Sequence, residues 1–74
     1  MRVVLTGWKP GLLKISLSDL LREHAGYSLK SAKGTVDRLI DGESVDVPFQ
    51  SYETASAFLR RVIEIGGVGH LADK

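Results

Sequence analysis

His24 and His70 are the two imidazoles of this chain, and catalysis or metal binding would require them to meet each other or an acid at a fixed spacing. Neither HxxxH nor HExxH occurs, so each reads as a lone histidine on the surface or in the core. The sequence has no cysteine nucleophile, no GxSxG elbow and no P-loop. In Gly7-Trp8-Lys9-Pro10-Gly11 a lysine stands between glycines, but the GxxxxGK[ST] register is absent and Pro10 removes an amide that a phosphate cradle would use. Asp41, Glu43 and Asp46 cluster at a turn without the EF-hand pattern. These observations predict a non-enzymatic protein with no cofactor and no metal. The remaining chemistry belongs to cations. Lys14, Arg22, Lys30 and Lys33 fall in two short helical stretches and could recognise an acidic surface.

The net charge of +1 conceals an asymmetry. Residues 1–38 hold seven Lys or Arg against three acids, and residues 39–74 hold three against six. A chain divided this way can present one face of positive potential, and its attraction to a partner would be salt-sensitive. Apolar residues make up 43% and charged residues 26%, which lies within the globular range. A single domain, residues 1–74, is expected, and a chain this short buries only about 60% of the surface it exposes when unfolded. The absence of cysteine excludes disulfide staples and fits a reducing compartment. No apolar run approaches the roughly 18 residues of a membrane span, and MRVVLTGWKPG lacks the apolar core of a signal peptide. A soluble, cytoplasmic protein is the expectation.

The cations must be positioned by the elements around Gly26–Gly42, a turn, a helix and a second turn. Ser28 is a candidate N-cap and Gly26 a candidate terminator of the preceding helix. Leu29, Ala32, Val36, Leu39 and Ile40 then recur at helical spacing as one buried stripe. Upstream, Arg2–Thr6 reads as a strand, and Gly7–Gly11 as a loop carrying Trp8 as a lid on the core edge. A first helix lies within Ile15–Ala25, with Leu17, Leu20, Leu21 and Ala25 inward, Ser16 or Ser18 as cap and Asp19 in its first turn. If it begins at Lys14, then Ile15, Ser18, Asp19 and Arg22 form a second stripe that faces outward.

Downstream, Val45, Val47 and Phe49 alternate with Asp46 and Pro48 as a half-exposed strand, Pro48 marking its end or a sheet edge. Ser51 caps a third helix, Tyr52–Ile65, whose inner stripe is predicted as Ala55, Phe58, Leu59, Val62 and Ile63. Gly66-Gly67 ends it, and residues 68–72 read as a last strand. The order βααβαβ predicts an α+β, two-layer fold with a three-stranded sheet covered on one face by three helices.

Gly34 stands at mid-helix, where it costs about 1 kcal/mol relative to Ala. A glycine there usually serves packing or lets another backbone come close. It lies one turn beyond Lys30, on the outward face. The candidate partner-binding set is therefore Lys14, Ile15, Arg22, Lys30, Lys33 and Gly34.

Lys14-Ile15, Arg22 and Gly26-Tyr27-Ser28-Leu29-Lys30-Ser31-Ala32-Lys33 together resemble the C-terminal domain of the bacterial large-subunit ribosomal stalk protein. That domain carries a K-[VI]-x(6)-R-x(3)-G-[L]-x-L-K-x-A-K pattern. The match is densest over residues 14–40, and the element order fits the whole chain. The resemblance implies a compact α/β unit whose first two helices offer Lys14, Ile15, Arg22, Lys30 and Lys33 to a translational GTPase or another ribosome-associated factor. Ser18 falls on an apolar contact position of the family and Asp19 on a basic one, which weakens the matching surface. The family's N-terminal dimerisation segment and hinge have no counterpart, so a freestanding domain is expected.

The same fold superfamily includes the adaptor of the Clp protease, which Asp41–Gly66 resembles. Gly7, Trp8 and Lys9 occupy the place of the adaptor's Asn-Asp pair, and Leu39 lies near that of its pocket histidine. Substrate adaptation is one alternative reading. Nucleic-acid binding through the same basic face is another, and it would fall steeply with salt.

Overall fold

Val3 and Leu5 are fully buried while Arg2 and Val4 are half-buried, the period-two alternation of a strand with one covered face. This strand, β1 (Arg2–Trp8), is the middle of an antiparallel sheet ordered β2-β1-β3, with β2 at Val45–Pro48 and β3 at Gly67–Ala72. The computed structural model describes residues 1–73. Three helices, α1 (Lys14–Ala25), α2 (Leu29–Ile40) and α3 (Tyr52–Glu64), complete the order βααβαβ that the sequence predicts.

Pairing sets the covered face. Val3 lies opposite Val47 and Leu71, and Leu5 opposite Val45 and Gly69, so one side of the sheet is apolar. Helix α2 packs on β1 and β2, α3 packs on β1 and β3, and α1 rests on both of these helices. The fold is α+β, with the sheet covered on one face. Phe58 is the largest fully buried side chain, and its ring tilts against those of Phe49 and His24 with centroids 5.1 and 6.1 Å away. On the open face Arg2 pairs with Asp46 across the β1–β2 ladder. Pro48 does sit on an edge strand, where its missing N–H removes no ladder bond.

Helix ends follow the capping residues where these are well placed. Ser28 Oγ accepts from Ser31 N–H at 3.1 Å, and Ser51 Oγ from Thr54 N–H at 3.2 Å. Gly26 closes α1 in the left-handed region, φ 73°, and its N–H donates to the Leu21 carbonyl. Helix α3 ends at Glu64, one residue short of the expected Ile65, and the start of α1 departs further. Its N-cap is Leu13, no side chain caps it, and neither Ser16 nor Ser18 serves that role. Lys14 opens the helix, so Asp19 falls beyond the first turn.

Other departures concern what packs. Gly7 and Trp8 are not loop residues: β1 continues through them after an irregularity between Leu5 and Gly7, and Trp8 pairs with Gly67. Trp8 is 41% exposed. Beyond it, Lys9 N–H donates to the Gly66 carbonyl and Leu13 N–H to that of Ile65, so this segment spends its amides on the α3–β3 turn. Ile63 is outside the core at 54% exposed, and Leu59 is half-buried. At about 100° per residue Ile63 lies about 100° around α3 from Val62, past the arc the sheet covers. Leu29 has the right phase, but it sits at the first position of α2, where the neighbouring elements leave it half in solvent. Ser18, expected outside, is buried. It lies about 20° from Ala25 on the α1 wheel, and α2 packs against that side.

Candidate functional site: the face of α1 and α2

Ile15 is the most exposed large apolar side chain among the described residues, at 81%. It cannot reach the core because its position on α1 lies about 160° from Leu17. Beside it, α1 and α2 enclose a cleft of about 290 Å³ lined by Lys14, Ile15, Ser18 and Asp19 from the first helix and Leu29, Lys33, Val36 and Asp37 from the second. The cleft forms because the two helices are joined by only Gly26-Tyr27-Ser28 and so pack side by side. Its floor includes Val36 and Ser18, both buried, and its rim carries two lysines and two aspartates.

The structure thus brings Lys14, Ile15 and Lys33 together. The other three candidates lie apart from that cleft. Arg22 borders a neighbouring depression with Asp19, Glu23 and Tyr27. Gly34 lies in a broader, open one with Gly26, Tyr27, Ser28, Ser31, Thr35 and Arg38. Lys30 is exposed and lines neither these hollows nor the cleft. Asp19 and Tyr27 each border two of the hollows, which joins them into one surface. A Cβ built on Gly34 would meet nothing within 4 Å, so no packing among the described residues requires glycine there.

Electrostatically the surface is mixed. The helices α1 and α2 supply Lys14, Arg22, Lys30, Lys33 and Arg38 against Asp19, Glu23 and Asp37, a surplus of two positive charges. Tyr27 borders two of these hollows and is partly buried. Burial pushes its hydroxyl above 10.0, and the Arg38 guanidinium partly offsets this. The most informative polar atom is Ser18 Oγ. Among the described residues it is the single buried side-chain oxygen or nitrogen without a hydrogen-bond partner.

Sequence reasoning placed Leu29 in the core and Ser18 on the surface, and thereby missed the cleft's apolar wall and its polar floor. The available signal for Ser18 was angular, its proximity to Ala25 and Leu21 on the wheel. Nothing in the sequence marked Asp37 as sharing a cleft with Lys14.

Elsewhere the chemistry-bearing residues stay dispersed. His24 is on α1 and His70 on β3, opposite Val4. Asp46 turns to Arg2, and Glu43 to Arg38 at 3.4 Å. Among the described residues no three His, Asp or Glu side chains gather where a metal ion could be held, and no helix is long and apolar enough to cross a membrane. Neither the comparison with protein-family models nor that with curated proteins finds a match.

Proposed function

We propose that the chain is a non-enzymatic protein–protein interaction module that engages an acidic partner through the face of α1 and α2. The observation that carries this reading is Ile15, held in solvent at 81% exposure on a cleft that Lys14 and Lys33 also line. An exposed aliphatic side chain ringed by charge is the composition of a contact centre with a polar rim. Lys30, Arg22 and Gly34 extend the same surface, with Gly34 offering close approach to a partner backbone. The resemblance to the ribosomal stalk domain implies the class of partner, a translational GTPase or another ribosome-associated factor, and a cytoplasmic setting.

A photo-crosslinking residue at position 15, introduced in the source cell, tests the reading. The expected product is a covalent adduct to a protein with an acidic surface, lost in a Lys14→Glu, Lys33→Glu background. Crosslinks confined to nucleic acid, with binding whose logarithm falls with log salt at a slope of about −3 or steeper, would replace this reading with phosphate recognition.

A further inference from the structure

The cleft between α1 and α2 contains an unmet demand. Ser18 is 8% exposed, its Oγ is shut off from solvent, and no group among the described residues hydrogen-bonds it. A buried hydroxyl without a partner destabilises the free protein, because water has been removed and nothing replaces it. Such a group in a native fold calls for an explanation, and a ligand that supplies the missing bond is one. Ser18 lies in the cleft that Ile15 and Leu29 border, and these side chains stand largely and half in solvent, at 81% and 48% exposure. Because Ser18 Oγ is shut off from solvent, a bond from an occupant of the cleft requires neighbouring side chains to move aside on docking.

We propose that this cleft takes a short amphipathic peptide segment of the partner, and that Ser18 is the residue that sets what the cleft accepts. The segment places an aliphatic side chain between Ile15 and Leu29, and a backbone or side-chain polar group next to it completes the bond to Ser18 Oγ. A carboxylate on the segment reaches Lys14 or Lys33. Asp19 and Asp37 on the same rim disfavour a uniformly acidic run, so the segment carries isolated acids rather than a block of them. A purely apolar segment is rejected because it would leave Ser18 unpaired in a closed site. This rests on the interaction-module reading and adds the identity of the docked element and its selectivity residue.

The test uses a phage-displayed library of random dodecapeptides panned on the full 74-residue chain. The expected winners combine an aliphatic residue with one or two isolated Asp or Glu. A synthesised winner is then titrated against the parent, Ile15→Asp and Ser18→Ala by fluorescence anisotropy, with melting temperatures measured alongside. Ile15→Asp is expected to weaken binding by about tenfold or more. Ser18→Ala is expected to weaken it roughly two- to tenfold while raising the melting temperature by several degrees, since removing an unpaired buried hydroxyl relieves the free chain. That opposition separates a recognition role from a structural one. If Ile15→Asp loses the peptide but Ser18→Ala binds it as the parent does, or melts lower than the parent, the Ser18 proposal is overturned and the interaction face stands. If no peptide is enriched, if the winners are acidic blocks or wholly apolar, or if Ile15→Asp binds them unchanged, the docked segment proposed here is wrong. The last of these outcomes also removes the interaction face.

Discussion

The rings of Phe49 and Phe58 meet with centroids 5.1 Å apart and planes tilted by 43°, which ties the end of β2 to the middle of α3. Phe49 follows directly on β2, and its N–H donates to the Met1 carbonyl at 2.8 Å. The ring contact and this hydrogen bond together tie the end of the edge strand to the longest helix and to the residue that leads into the central strand.

Phe58→Ala is expected to remove about 3–5 kcal/mol, because Phe58 is wholly buried and the cavity it leaves is walled by sheet and helices. In a domain of this size that is most of the total stability. Leu59→Ala, one residue on but half-buried, should lose much less. Urea denaturation of the two variants checks the phase of α3, and equal losses would contradict it.

Gly69 and Gly34 should respond oppositely to alanine. A Cβ on Gly69 would stand 2.6 Å from the Val4 carbonyl oxygen, a backbone atom that can move only by distorting the ladder, so Gly69→Ala is expected to destabilise by about 1–3 kcal/mol. At Gly34 the added methyl meets only open space, and the gain in helix propensity should stabilise by about 0.5–1 kcal/mol. If a partner's backbone passes over Gly34, the same substitution lowers affinity. Thermal melting and a binding titration of Gly34→Ala report the two effects separately.

Charge reversal should divide the basic residues by their place. Lys33 stands on the cleft and Arg22 beside Asp19 and Glu23, so Lys33→Glu is expected to weaken partner binding more than Arg22→Glu. Both are exposed, and each change should alter stability by no more than about 0.5 kcal/mol. A double variant that melts as the parent does and still binds every cellular partner would falsify the interaction face.

Tyr27 gives the chain an alkaline limit. Its folded hydroxyl titrates above 10.0, chiefly through burial, so the folded state holds that proton more tightly than the unfolded chain does. The stability this contributes is fully present below about pH 10 and is lost as pH rises through the folded value. Tyr27→Phe should therefore flatten the fall of melting temperature in this window relative to the parent, and parallel curves would show that Tyr27 does not titrate there.

Periodicity and punctuation determined by themselves the six elements and their order. Alternation at Val45 and Val47, spacings of three and four at Leu17, Leu20 and Leu21, and the caps Ser28 and Ser51 are local features, set by neighbours a few residues away. Gly26 ended α1 for the same reason, since only its own backbone had to adopt positive φ. Tertiary packing decided the edges of each buried arc. Ser18 became buried and Ile63 exposed because coverage depends on which neighbouring element lies against a helix, and that is fixed by residues distant in sequence. The same holds for the cleft. The sequence put Lys14, Ile15 and Lys33 on outward positions, but only the side-by-side packing of α1 and α2 closed them around Ser18, set Asp37 among them, and left Lys30 and Gly34 outside.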